Sequence, residues 1–225
     1  MQISVIIPAL NEAASIAQVL AAIPRPGLAE ILVVDGGSTD GTPALAQAHG
    51  AQVIAERRRG YGQACATGAA RACGEILVFL DADGADDPRR LPALVQPVRS
   101  GAAELVLGSR LAGELLPGAM PWHQRSGNRL AAWLIRRLYG LPLTDLSPFR
   151  AVARRPLLEL GMVEMTYGWP TEMIARAARR GWRICEVPVG YRPRLGGKSK
   201  ISGTLRGSVL ATYFILRTIL RYAWE

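Results

Sequence analysis

The sequence predicts an α/β fold: a mainly parallel sheet with helices on both faces, followed by a C-terminal amphipathic helix. Three observations carry that prediction. Residues 3–7, 31–34 and 76–80 are continuous apolar runs, the pattern of strands covered on both faces. Alanine-rich segments with helical spacing separate them, the alternation that builds a parallel sheet. Each run also ends abruptly in polar residues: Pro8-Ala9-Leu10-Asn11-Glu12, Asp35-Gly36-Gly37-Ser38 and Asp81-Ala82-Asp83. Ligands of such sheets bind beyond the carboxyl ends of the strands, so three chemically loaded loops are expected on one rim.

In chain order, a strand over 3–7 leads to a helix over 12–22, a strand over 31–34 and a helix over 42–48. A weaker strand at 53–54, a helix over 62–72, the strand at 76–80 and a shorter run at 105–107 complete the first half. The second half is less regular. Residues 127–139 form an amphipathic helix, with Leu130, Trp133, Leu134 and Leu138 beside Arg129, Arg136 and Arg137. Tyr167-Gly168-Trp169-Pro170 opens a helix running to about residue 180, followed by a strand over 184–189. A Gly/Lys/Arg/Ser loop covers 192–203 and a last helix 204–224. No repeat or low-complexity linker divides the chain. One domain is expected over 1–203, with 204–225 an amphipathic helix rather than an independent domain.

The 225 residues are enough to bury a sizeable core. Hydrophobic content is 49% and mean hydropathy +0.14, yet no run reaches the roughly 20 apolar residues of a spanning helix. The chain opens directly into a strand, so no signal peptide is expected. Cys65, Cys73 and Cys185 are odd in number and lack metal spacing, which fits a cytoplasmic protein without disulfides. Residues 1–109 carry 8 Lys+Arg against 11 Asp+Glu, whereas residues 110–225 carry 19 against 7. Apart from Lys198 and Lys200 these cations are arginines, suited to bidentate phosphate contact; the alternative is a solvated arginine-rich surface.

Asp81 and Asp83 are the most informative residues. In an extended chain their i, i+2 spacing sets both side chains on one face. A buried strand cannot keep unpaired charges, so the pair belongs at its carboxyl end, facing a crevice. Two carboxylates there can hold a hard divalent cation, which typically brings phosphates with it. The competing reading is a capping cluster with Asp86-Asp87-Pro88. In residues 35–42 the glycines, Gly37 among them, let a ligand approach the backbone, and Asp35 can accept from base or ribose donors. Asp40 or Thr42 could equally be a helix cap, as could Asn11 in the first loop. Arg57-Arg58-Arg59-Gly60-Tyr61-Gly62 resembles a phosphate loop feeding a helix amino terminus, against the alternative of a solvated charge run.

Taken together and in order, the first loop, residues 35–42, Asp81-Ala82-Asp83 and Gly108-Ser109-Arg110 resemble the motifs of family-two glycosyltransferases of the GT-A fold, a Rossmann-like architecture. Within that group the chain is most similar to the dolichyl- and polyprenyl-phosphate sugar transferases. Thr144-Asp145-Leu146-Ser147-Pro148-Phe149-Arg150 stands where they carry Asp-x-x-x-Gly-Phe-Arg. Glu186-Val187-Pro188-Val189, followed by Arg194, Gly197, Ser199 and Lys200, matches their late basic signature. The resemblance implies a GT-A domain, a nucleotide-diphosphate sugar as donor and Mg²⁺ or Mn²⁺ as cofactor. Pro8, Asn11, Glu12 and Asp35 would line the nucleotide pocket, with Gly37 and Gly62 at the donor. Asp81 would lie near base, ribose or phosphate, and Asp83 would be the chief metal ligand. Arg110 and Arg125 would hold an acceptor phosphate, and Arg194 and Lys200 the donor diphosphate. Three residues depart from the pattern: Ala85 where a glutamine often helps hold the metal, Pro148 for glycine, and Leu10 for an aromatic.

The implied reaction is displacement at the anomeric carbon with inversion, at the cytoplasmic face of a membrane. A polyprenyl-phosphate acceptor is already an anionic nucleophile and needs no base. A hydroxyl acceptor, on a soluble molecule or glycan, needs one, with Asp145 and Glu172 as candidates. The helices over 127–139 and 204–224 resemble interfacial anchors on anionic lipid; alternatively they pack on the body or on a second copy in a homo-oligomer, or meet a membrane-protein partner. A nucleotidyltransferase would be expected to carry a Gly-rich basic first loop, which is absent. Against a nucleic-acid-binding module stands the acidic pair.

Overall fold

β1 (Ile3–Ala9), β2 (Leu28–Asp35) and β4 (Ile76–Phe79) are almost wholly apolar because both of their faces are covered. Alternate residues serve opposite layers. Val5, Ile7, Val33, Ile76 and Val78 join Ile16 and Leu20 of α1 (Ile16–Ala22), Ala46 of α2 (Thr42–Ala48) and Leu94 and Val98 of α4 (Leu91–Arg99). Ile6, Leu32, Val34, Leu77 and Phe79 face the other way, onto Cys65 and Ala69 of α3 (Tyr61–Arg71), Ile135 of α5 (Trp122–Tyr139) and Trp169 and Met173 of α7 (Trp169–Arg179). In this computed structural model residues 1–196 and 205–224 are described, with backbone alone for 205–209.

With β3 (Gln52–Ala55), β5 (Leu105–Ser109), β6 (Arg150–Ala153) and β7 (Ile184–Pro188), the seven-stranded sheet runs β3-β2-β1-β4-β6-β5-β7. β6 is antiparallel to both neighbours; every other pairing is parallel. The carboxyl ends of β1, β2, β4, β5 and β7 therefore meet on one rim. The expected strands are all present. The helix expected from residue 12 starts at Ile16, because the Ser15 and Ile16 amides first close a turn on the Glu12 carbonyl at 3.1 and 2.9 Å. α5 starts at Trp122, five residues before the expected helix. β6, α4 and α6 (Arg154–Glu159) were not anticipated.

α8 (Leu205–Arg221) crosses α5 and α7. The Tyr139 hydroxyl donates to the Ile219 carbonyl at 2.6 Å, and just beyond α8 the Tyr222 hydroxyl donates to Glu172 at 2.7 Å. Ile219 and Tyr222 are buried in this contact. Among the described residues no helix is long and apolar enough to cross a membrane.

Candidate active site

The first two rim loops are tied to each other before any ligand is considered. Ala9 pairs in register with Asp35, with Pro8 one step earlier opposite Val34. Asn11 takes φ +51°, a left-handed conformation that asparagine tolerates better than most residues. There its amide donates to Ser38 Oγ at 2.8 Å while its own Oδ1 accepts from the Thr39 amide at 2.8 Å. The Glu12 amide donates to Thr42 Oγ1 at 2.8 Å, and the Ala13 amide to Asp40 at 3.1 Å. Asp35 is buried and accepts from the amides of Gly37 and Ser38, both at 3.1 Å, so its carboxylate shapes the loop that it begins. Gly37 sits exposed at φ +91°, a conformation suited to glycine.

The third loop follows β4, where the Leu80 amide still donates to Ile6 at 3.1 Å. Asp81 Oδ1 accepts from the Tyr61 hydroxyl at 3.1 Å. Burial first, then the neighbouring Asp83 charge, push the Asp81 carboxyl up to about 7. Asp83 Oδ1 accepts from the Ala85 amide at 2.9 Å, and its Oδ2 pairs with Arg194 at 2.7 Å. The other arm of that guanidinium reaches Glu12 at 2.9 Å. Arg194 arrives there because the chain after β7 folds back over the rim. The Arg192 amide donates to the Ala85 carbonyl at 2.9 Å, Arg192 Nε to the Gly84 carbonyl at 2.8 Å, and the Leu195 amide to the Asp83 carbonyl at 3.1 Å. Gly84, at φ +72°, has no room for a Cβ, which would lie 2.4 Å from Leu195.

Among the described residues no three Asp, Glu, His or Cys side chains converge as a metal cage. Asp86 is buried with Oδ1 unpartnered, Asp87 is drawn off by Arg89 at 2.8 Å, and Ala85 is buried. The acidic side chains gathered at the rim are Asp81 and Asp83, with Asp86 buried near them and Glu12 held beside them through Arg194.

The family model for glycosyl transferase family 2 matches residues 4–161. This chain is a family 2 glycosyltransferase. An uncharacterised glycosyltransferase of Mycobacterium bovis is 46% identical over 93% of this chain and 94% of its own length. Undecaprenyl-phosphate mannosyltransferase of Micrococcus luteus is 32% identical over 100% of this chain and 97% of its own. Among solved structures, glucosyl-3-phosphoglycerate synthase of Mycobacterium tuberculosis, in complex with Mn²⁺, UDP and glucosyl-3-phosphoglycerate, superposes with a TM-score of 0.81 at 27% identity, covering 99% of this chain and 80% of that one. The fold is the GT-A arrangement.

Several residues expected at the transferase site stand differently in the structure. Arg110 is not an open phosphate ligand. Its Nε and Nη2 grip the two oxygens of Asp145 at 2.7 and 2.8 Å, its amide adds a third bond at 3.0 Å, and Tyr191 stacks 5.0 Å from the guanidinium. Asp145 is fully buried; although desolvation opposes it, Arg110 holds the carboxyl below its ordinary range, so it is not placed to act as a base. Glu172 is buried too, accepting from the amides of Val163 and Glu164, from Arg176 and from Tyr222. Gly62 does not open α3 to an anion. Its amide donates to the Thr166 carbonyl at 3.2 Å, and a Cβ there would lie 2.7 Å from Glu164, Met165 and Trp169. Arg58, in the same run, pairs with Glu56 at 2.9 Å. Arg125 lies in the first turn of α5, half-buried, with its Nε lacking a hydrogen-bond partner among the described residues. Lys200, with Gly197 and Ser199, lies outside the described residues.

Two residues without an assigned role emerge beside Asp81. In the sequence Tyr61 stands only as part of a basic loop, and Arg150 only as part of a motif. Arg150 is fully buried, with Nη1 on the Pro170 carbonyl at 2.7 Å and Nη2 on the Ser147 carbonyl at 2.5 Å. Burial pushes it down to about 10. An arginine inside an otherwise apolar stretch is the one sequence signal that marks it.

Proposed function

We propose that this transferase moves a hexosyl group from a nucleotide-diphosphate sugar to a polyprenyl phosphate at a membrane surface, with inversion at the anomeric carbon. The observation that carries this reading is the engagement of Asp145 and Glu172, the two carboxylates the sequence offers as bases for a hydroxyl acceptor. An acceptor phosphate arrives as an oxyanion and needs no base: its oxygen bonds to the anomeric carbon as the bond to the leaving diphosphate breaks. The loops carrying Pro8, Asn11, Glu12, Asp35 and Gly37 would receive the nucleotide. A buried acidic pair of which one member is pushed up to about 7 suits a divalent cation, so Asp81 and Asp83 would hold Mn²⁺ or Mg²⁺. When bound, that cation stabilises charge on the leaving diphosphate. Arg194 adds positive charge beside Asp83, and Arg125 is suited to the acceptor phosphate.

The α5–α8 face supports a lipid acceptor. Neither helix contains an acidic residue. Trp122 and Trp133 are 79% and 59% exposed, on the helix that carries the exposed Arg129, Arg136 and Arg137, with Arg217 exposed on α8. Exposed tryptophans with arginines and no acids suit an anionic lipid surface. The similarity to glucosyl-3-phosphoglycerate synthase favours a second reading, a soluble phosphorylated acid as acceptor. The test offers labelled UDP- and GDP-hexoses with Mn²⁺ to undecaprenyl phosphate in detergent and, separately, to 3-phosphoglycerate. Label extracted with the lipid is expected; label only in water-soluble product would overturn the lipid reading.

A further inference from the structure

The transfer chemistry leaves Tyr61 unused, although its hydroxyl is 3.1 Å from Asp81 Oδ1. Tyr61 is fixed from several directions. It opens α3, whose next two amides donate to the Thr166 and Met165 carbonyls at 3.2 and 3.0 Å, and its ring packs with the layer that holds Phe79 and Trp169. Those two rings meet edge to face at 4.9 Å. Arg150 reinforces the position. It enters the sheet opposite Phe79, its Nε has no hydrogen-bond partner, and no carboxylate lies within ion-pair distance of it among the described residues. The titratable groups around it are Tyr61, Cys65 and Asp81, with the cationic Arg110 opposing them. A buried guanidinium without a carboxylate is costly, and here it lies behind the acidic pair, where negative charge is gathered.

We infer that Tyr61 is a positioning residue: its hydroxyl holds Asp81 through Oδ1 in one orientation, so that the carboxylate is preset for a divalent cation and the nucleotide diphosphate. This rests on the proposed cation site at Asp81 and Asp83. Groups that orient a metal ligand in this way typically alter metal affinity 10–100-fold when removed. Phenylalanine at 61 keeps the ring and deletes the bond.

The experiment is calorimetric titration of Mn²⁺ with UDP, and then with GDP, into the wild type, Tyr61→Phe, Asp81→Asn and the double variant, with thermal melts alongside. Tyr61→Phe is expected to weaken binding about 10-fold and to raise the donor KM more than it lowers kcat. In the Asp81→Asn background the same change is expected to have no further effect on binding, because the residue acts through the carboxylate. Equal binding by wild type and Tyr61→Phe would overturn the inference. So would an equal loss in both backgrounds, which marks a packing role. If the wild type bound neither nucleotide with Mn²⁺, the cation-site reading would fail first, a result distinct from either of these. Should Tyr61→Phe melt too low to titrate, Tyr61→His is titrated alone and combined with Asp81→Asn: a change in affinity only where Asp81 is intact supports positioning, and an equal change in both backgrounds overturns it.

Discussion

Replacing Asp145 with asparagine separates a structural carboxylate from a catalytic one. In the wild type Asp145 is fully buried and Arg110 is 5% exposed. Two guanidinium bonds at 2.7 and 2.8 Å and amide bonds from Arg110 and Leu146 at 3.0 and 2.8 Å converge on one carboxylate. Breaking a buried pair by neutralising one partner costs about 3–5 kcal/mol, because the other charge stays buried. Asparagine keeps one acceptor oxygen, so the lower end applies, about 3 kcal/mol. A chain of this size loses roughly 2–4 °C of melting temperature per kcal/mol, giving a fall of about 6–12 °C. The sign with pH follows from the depressed carboxyl: its contribution is present above the ordinary carboxylate range and is lost as pH falls through the lower folded value, so the two proteins converge in strong acid. Thermal unfolding by circular dichroism at pH 7 and pH 2.5 measures this, with donor turnover assayed well below the melting point. An unchanged melting temperature with turnover abolished would refute the reasoning and restore Asp145 as a base.

In the cation-free protein Asp81, raised to about 7, favours the neutral form, so stability is lost as pH rises toward and through that value; denaturant unfolding should show a loss of about 2–3 kcal/mol between pH 5 and 8, and Asp81→Asn should flatten it. A pH-independent wild type would contradict that. Gly62→Ala forces a Cβ against backbone at 2.7 Å and should cost about 1–3 kcal/mol while leaving the donor KM of the folded fraction unchanged; a raised KM at full stability would return Gly62 to the donor site. Arg194→Ala removes a guanidinium bound to both Asp83 and Glu12, so Mn²⁺ without nucleotide should bind severalfold more tightly in calorimetry, and weaker binding would show that the arginine does not compete there.

Strands covered on both faces announce themselves in sequence, and β1, β2 and β4 were legible for that reason. β6 was not: this inner strand begins with the buried Arg150, a residue type that ordinarily signals solvent. α4 was hidden by Pro92 and Pro97, although Leu91, Leu94, Val95 and Val98 form its buried face. The acidic pair was legible from spacing alone because it depends on one strand end. Partnerships across the fold were not. Asp145 is 35 residues from Arg110, and the two meet only because β5 and the segment entering β6 lie side by side. Gly62 looked like a ligand glycine because its constraint, the 164–166 segment, is more remote still in sequence.

If Asp83 organises the donor site, donor binding must depend on it and on the cation. Purified protein is titrated with UDP-glucose, GDP-mannose and UDP-N-acetylglucosamine, with and without Mn²⁺, beside Asp83→Ala. Binding of one donor that requires Mn²⁺ and disappears in Asp83→Ala is the predicted result. Donor binding that ignores both the metal and the substitution would contradict the account.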